Sequence, residues 1–272
     1  MSSEPVIIEQ QQGSLRILRL NRPDRLNAIN GELMDEILAA TQRAAADDNV
    51  RAVVLTGSGK AFCSGGDVRD GARPKARPDT PGKPRDKRQE RIDSQFERTQ
   101  ASLLLHTMPK PTIALVRGAA MGAGMSLALA CDFRIISDTT VFRTAFVNNA
   151  ISGDYGIAYF LVATLGMPKA MELLMLSEKL DAQRIAQLGL ATRLVADEDL
   201  ESEGLAFAEK LAGGPTIAYA GIKQNVVGAG TMDLSSCLAL ESQNQVTCSF
   251  SKDIREAAKA FMEKRPPVYQ GR

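Results

Sequence analysis

The chain has 272 residues, 44% of them hydrophobic and 24% charged, with 33 basic side chains against 32 acidic ones. This is the composition of a soluble globular protein with a sizeable core in one or two domains; it excludes disordered, collagenous and disulfide-stapled chains. A net charge of +1 gives no overall pull towards nucleic acid or membrane lipid. No apolar run reaches the ~18–20 residues of a membrane span. Residues 1–12 lack the basic start and apolar stretch of a signal peptide, and Cys63, Cys131, Cys237 and Cys248 form no CxxC pair. Both features predict a cytoplasmic protein with free thiols.

In chain order, Val6–Ile8 and Leu15–Leu20 read as strands. Asn30 is placed to cap a helix running to about Asp47, with an apolar stripe of Leu33, Met34, Ile37, Ala40, Thr41 and Ala44. Ala52–Leu55, Ile113–Val116 and Phe133–Ile136 are continuous apolar runs of the kind buried on both faces of a parallel sheet. A helical pattern over Ile92–His106 separates the first two, so the alternation predicts α/β architecture with crossovers. From about Leu200 the texture becomes helical, over 200–212, 216–228, 232–249 and 252–264, with no strand signal between. We therefore expect a core over 1–199 and a helical oligomerisation region over 200–272. The segment Arg69–Arg91 holds nine basic and four acidic residues and four prolines. It reads as a solvated loop or as a cationic lid for a phosphate-bearing ligand.

The single histidine, His106, sits on an apolar helix end and reads as structural; with dispersed cysteines it makes a His-based zinc site untenable, and no metal is expected. Gly124-Met-Ser126-Leu-Ala128 has the outline of a nucleophile elbow, but the only histidine precedes that serine, which excludes an α/β-hydrolase triad. Two glycine turns follow buried strands, Gly57 to Asp67 and Gly118 to Gly124. Neither has phosphate-loop or dinucleotide-fold spacing. Tight turns of this kind expose backbone N–H groups, and two that converge can hold one oxyanion.

Five segments occur in order along nearly the whole chain. They are Asn21-Arg-Pro-Asp-Arg-Leu-Asn-Ala-Ile-Asn30, Ala61-Phe-Cys-Ser-Gly-Gly-Asp67, Lys110-Pro-Thr-Ile-Ala-Leu-Val-Arg-Gly-Ala-Ala-Met-Gly-Ala-Gly-Met-Ser126, Ala130-Cys-Asp-Phe-Arg134 and Phe261-Met-Glu-Lys-Arg-Pro-Pro267. Together they resemble the crotonase (enoyl-CoA hydratase/isomerase) superfamily. The resemblance implies a spiral of ββα turns with a C-terminal helical region, assembly as a homotrimer or dimer of trimers, and an acyl-CoA substrate. CoA is then part of the substrate, and no separate cofactor, nucleic acid or membrane partner is expected. It further implies a thioester oxygen held by two backbone N–H groups, placed by this correspondence at Ser64 and Ala123, each typically worth about 3–4 kcal/mol of barrier. Arg25, Leu26, Ala28, Ala61 and Asp67 match positions along the CoA nucleotide. Gly65, Gly66, Gly122 and Gly124 form the substrate turns, and Lys264 matches a lysine that approaches a neighbouring subunit's CoA.

The departures from the family pattern matter as much. The two glutamate positions of the hydratases are Ser126 and Phe146 here, both expected with Asn149 to line the substrate pocket, so hydration by paired glutamates has no support. Eight residues beyond Phe146 stands Asp154, at a position that looks like the one carrying an aspartate in double-bond-shifting relatives, ring-epoxide and dienoyl-CoA isomerases among them. A lone carboxylate suffices for a 1,3-proton shift, and Phe146 and Tyr155 would desolvate it and raise its pKa. Asp154 also suits the N-cap of a helix beginning at Tyr155. Glu241 is a candidate second acid, Asn148 and Asn149 candidate hydrogen-bonders, and Cys63 reads as packing. The expectation is an enoyl-CoA isomerase working through Asp154. A hydratase with non-standard acids, an acyl-CoA hydrolase and a silent acyl-CoA-binding protein are the alternatives.

Overall fold

The computed structural model describes residues 4–67, 69 and 86–272. Most of the basic segment 69–91 lies outside them. Strands β1 (Ile7–Gln12) and β2 (Leu15–Leu20) form an antiparallel hairpin. Helix α1 (Gly31–Ala46) follows, its first turn closed by Asn30 Oδ1 accepting from Leu33 N at 3.0 Å, and its buried stripe is the six residues expected. Strand β3 (Ala52–Gly57) leads to α2 (Lys87–Thr107), capped by Asp86. Next come β4 (Thr112–Val116), β5 (Ala119–Met121) and α3 (Ala123–Ala130), then β6 (Phe133–Ser137), β7 (Val141–Arg143) and α4 (Ile157–Leu165). The remaining elements are α5 (Met167–Leu176), β8 (Leu180–Asp181), α6 (Ala182–Gln187), β9 (Arg193–Val195), α7 (Leu200–Ala212), α8 (Thr216–Ala229), α9 (Leu234–Ser249) and α10 (Lys252–Met262).

The strands make two sheets, one ordered β1-β2-β3-β4-β6-β9 and parallel except at β1, the other β5-β7-β8. Thus β4-β5-α3 and β6-β7-α4 are successive ββα turns. A bridge from Cys63 to Ala120 gives β3 and α2 the same plan. The α/β spiral with a C-terminal helical region is therefore present. The short strands β5, β7, β8 and β9 carry too few residues for a pattern to be read from sequence.

Alternate residues of the large sheet enter opposite cores, as strand geometry requires. Leu18, Val53, Leu55, Ala114 and Ile136 face the core under α1 to α4, whereas Ile17, Val54, Ile113, Leu115 and Ile135 face Leu200, Ala208 and Ala212 of α7. Helix α7 is thus the second layer on the sheet, so the boundary expected at 199/200 falls inside a packed layer. Helices α8–α10 differ: α9 buries no residue, and Ile222, Val226, Leu234, Leu238, Phe250 and Phe261 are exposed. Among the described residues no helix is long and apolar enough to cross a membrane.

One cation ties α8 to the body. Lys223 Nζ donates to Leu105 O at 2.8 Å and Lys110 O at 3.2 Å and pairs with Asp132 Oδ2 at 2.9 Å, while the same carboxylate accepts from Thr112 N. Burial lowers the Lys223 pKa, with Asp132 opposing. Removing one partner of a buried pair strands the other. Lys223→Met is expected to lower unfolding free energy by about 3 kcal/mol, read from the urea midpoint at unchanged m-value.

Candidate active site

The first glycine turn is held from below by the 21–29 loop. Asn27, fully buried at positive φ, donates through Nδ2 to Ser58 O at 2.9 Å and Ala61 O at 2.7 Å, and its Oδ1 accepts from Arg22 N. Backbone pairing continues through Ile29 N to Gly65 O at 2.7 Å and Asp67 N to Ile29 O at 2.9 Å. Asp67 is buried against Arg22 at 3.1 Å, and Arg22 also donates to Ala28 O, so both Asp67 and Ala28 brace the loop. Ala61 is buried, and Arg25 and Leu26 stand exposed at the loop's rim.

This pairing corrects the expected oxyanion donor. Ser64 N–H is spent on Leu26 O at 3.0 Å. Two residues on, Gly66 is exposed, and its N–H meets no acceptor among the described residues. The sequence offers no sign of which amide in Ser64-Gly-Gly66 turns outward, because the pairing partner lies in the 21–29 loop.

The second turn is pressed onto the first. Cys63 N donates to Ala119 O at 3.0 Å and Met121 N to Cys63 O at 2.9 Å. A Cβ on Gly124 would stand 2.3 Å from Cys63 O, and one on Gly65, at φ +95°, would stand 2.9 Å from Met121 O. Gly122 N–H is taken by Arg143 O at 2.9 Å. Ala123, the first residue of α3, is left with an N–H that has no acceptor among the described residues, at the positive end of the helix. Gly66 and Ala123 therefore each present an unengaged amide, one on each turn.

Asp154 follows in a loop between the 147–149 helical turn and α4. It does not cap a helix at Tyr155: α4 begins at Ile157, behind Gly156, with no side-chain cap. Its Oδ2 accepts from Gln95 Nε2 at 3.1 Å, and its buried Oδ1 has no hydrogen-bond partner. Burial pushes its pKa up to about 6, against a smaller lowering by Gln95. The Phe146 ring lies between this loop and the second turn, 3.7 Å from where a Gly153 Cβ would stand and 3.8 Å from where a Gly122 one would. Tyr155 is buried beside it in a left-handed conformation. Ser126, expected to face substrate, is fully buried, and its Oγ donates to Gly122 O at 3.1 Å and Asp154 O at 3.2 Å. It ties the second turn to the Asp154 backbone.

Gln95 was missed because nothing local marks it: its partner is 59 residues away. Asn148 is engaged with Ser177 Oγ, and Asn149 is exposed on the same turn. Glu241 on α9 and Lys264 just beyond α10 are exposed, and neither joins the hydrogen bonds that build the site. His106 packs edge-on against Tyr159 and Phe160, and burial lowers its pKa. Burial pushes the Cys63 thiol up to about 12, which removes it as a nucleophile.

A cavity of about 760 Å³ opens onto Asp154. One wall is Gly153, Asp154 and Tyr155. The other is α2, through Ile92, Gln95, Phe96 and Thr99, with Lys87, Arg88 and Arg91 towards the helix start.

Two tests follow from this geometry. Gly124→Ala should lower both stability and turnover, whereas Gly66→Ala, whose Cβ meets nothing within 4 Å, should leave the urea midpoint unchanged. For Asp154, a folded pKa of about 6 against an ordinary 3.8 means the native state binds the extra proton. Stability should therefore fall as pH rises from about 4 to 6 and level off above, by about 3 kcal/mol at most. Asp154→Asn should flatten that slope and be the more stable protein at pH 7.5, as measured by denaturant titration across pH.

Comparison with known proteins agrees with this architecture. The family model described as enoyl-CoA hydratase/isomerase matches residues 10–272. A probable enoyl-CoA hydratase of Rhodobacter capsulatus is 36% identical over 100% of both chains. The 1,2-epoxyphenylacetyl-CoA isomerase of Escherichia coli is 33% identical over 98% of both. A crystal structure of a putative enoyl-CoA hydratase from Streptomyces coelicolor superposes with a TM-score of 0.89 at 31% identity, covering 100% of this chain and 96% of that one. The chain belongs to the enoyl-CoA hydratase/isomerase family, the crotonase superfamily.

Proposed function

We propose that the protein shifts a double bond in an enoyl-CoA thioester, with Asp154 as the single acid/base. The observation that carries this reading is one desolvated carboxylate, at about pKa 6 with an oxygen that has no hydrogen-bond partner, on a loop that Ser126 ties to the second of two turns with unengaged amides. Hydration needs one group to activate water and another to deliver a proton. Of the two positions that would hold them, Phe146 has no proton to give, and the Ser126 hydroxyl is committed to backbone carbonyls.

In this mechanism the thioester oxygen of a 3-enoyl-CoA lies between Gly66 N–H and Ala123 N–H. Asp154 Oδ1 takes the C2 proton, and the electron pair passes into a dienolate whose oxygen the two amides stabilise. Asp154, its acquired proton open to exchange with solvent, then delivers a proton to C4, leaving the 2-enoyl thioester and a regenerated carboxylate. Gln95 Nε2 donates to Oδ2, which leaves the buried Oδ1 as the oxygen without a hydrogen-bond partner. Arg25 and Leu26 flank the CoA nucleotide in this reading. The exposed apolar faces of α8–α10 support a homotrimer, in which Lys264 would reach a neighbour's CoA.

Incubation of 3-enoyl-CoA in heavy water, followed by mass spectrometry, should show the 2-enoyl isomer with deuterium incorporated and no water added. Turnover should fall about tenfold per pH unit below 6. Asp154→Asn should lower kcat by about 10²–10⁴ while thioester affinity is kept. Net addition of water, release of free CoA, or full turnover by Asp154→Asn would overturn the proposal.

A further inference from the structure

The cationic end of the cavity is unexplained by the proton shift. Two ridges of α2 form the wall at successive i, i+4 positions: Lys87, Arg91, Gln95 and Thr99 along one, Arg88, Ile92 and Phe96 along the other. Gln95 reaches Asp154 from the first ridge, which fixes that face of the helix towards the cavity. At 1.5 Å rise per residue, Arg91, Arg88 and Lys87 then stand about 6–12 Å along the helix axis from Gln95.

Three features set these side chains apart from an ordinary solvated face. None has an ion-pair partner among the described residues. Lys87 and Arg91 are like charges at i, i+4, and all three sit in the first turns, where the helix dipole disfavours cations. Asp86 already occupies the helix cap, accepting from Arg88 N and Gln89 N, so an anion arriving here would be met by the side chains rather than by the helix end. Among the described residues, Asp154 is the only acidic one in the lining, and Ile92 and Phe96 add an apolar stretch to the same wall. None of the residues expected along the CoA nucleotide, Arg25, Leu26 or Ala28, lines this cavity.

We propose that the cavity takes an acyl group that ends in a carboxylate, its alkyl part lying along Ile92 and Phe96 and its terminal anion received by Arg91 with Arg88 and Lys87. The substrate class is thus the CoA thioester of a dicarboxylic acid. This rests on the reading above only in placing the thioester at Gly66 and Ala123.

The test is calorimetric titration of the full chain with adipoyl-CoA and suberoyl-CoA against hexanoyl-CoA and octanoyl-CoA, and with free CoA. Because these ligands are saturated, binding is read apart from turnover. The carboxylate-ended member of at least one pair should bind about tenfold more tightly, as one charge-assisted pair would give. Arg91→Gln, and Arg88→Gln with Arg91→Gln, should abolish that preference while free CoA binds as before. Asp154→Asn should retain it. Equal affinity within both pairs would overturn the inference, as would an equal loss for free CoA and every thioester in the arginine variants, which would assign the cations to the CoA phosphates. A preference that persists in a protein found to add water would sink the isomerase reading and leave this one standing.

Discussion

The close approach of two backbone turns governs the rest of the site. Gly65 and Gly124 are the positions at which a Cβ would drive the turns apart, and the bonds between Cys63, Ala119 and Met121 hold them at that distance. Once they are pressed together, most amides of both turns are consumed in holding the contact. Those of Gly66 and Ala123 are among the amides left without a backbone acceptor among the described residues. A pair of fixed dipoles arises in this way with no reorganisation needed when charge develops in front of them. Cys63 fits the same account: its thiol fills the space beside Gly124, and burial there keeps it protonated.

The buried acids of this protein separate by what faces them. Asp67 has Arg22, Asp132 has Lys223, and Asp253 accepts from Gln270 N and Gly271 N at the C-terminus. Each is satisfied and each ties two segments together. Asp154 has a neutral amide on one oxygen and nothing on the other. A carboxylate left in this condition weakens the fold, which is the usual mark of a group kept for chemistry rather than for structure.

Much of this was legible beforehand. The stripe of α1, the three buried strands and the four C-terminal helices follow from periodicities of 2 and 3.6 residues, which one sequence displays directly. The sequence also singles out Asp154 as a candidate, since the loss of both family glutamates leaves few carboxylates to consider. What escaped were pairings across long separations. Ser64 was expected to present its amide because it occupies the turn; Leu26, on another loop, had already claimed it. Ser126 was expected in the pocket, and its hydroxyl is instead drawn to two carbonyls, one of them on Asp154 itself. The direction of an amide or hydroxyl depends on where the rest of the chain puts its acceptors, and no local pattern encodes that.

In the proposed proton shift, the choice of Gln95 as the partner of Asp154 bears on how a single carboxylate would serve at both carbons. A group that must take a proton at one position and give a proton back at another works best when neither transfer is strongly uphill, which places its pKa near the working pH. Desolvation alone pushes Asp154 up; a cation at position 95 would pull it back into the ordinary carboxylate range and leave a weak base. A neutral amide opposes desolvation only slightly while still fixing one oxygen, so the carboxylate stays at about 6 with a defined orientation. Arg98, three residues from Gln95, pairs with Asp35, and the cations that line the cavity stand at least one turn away, at Arg91 and beyond. In the proposed reading, that spacing would let the helix present positive charge to a distant part of a ligand without lowering the basicity of Asp154.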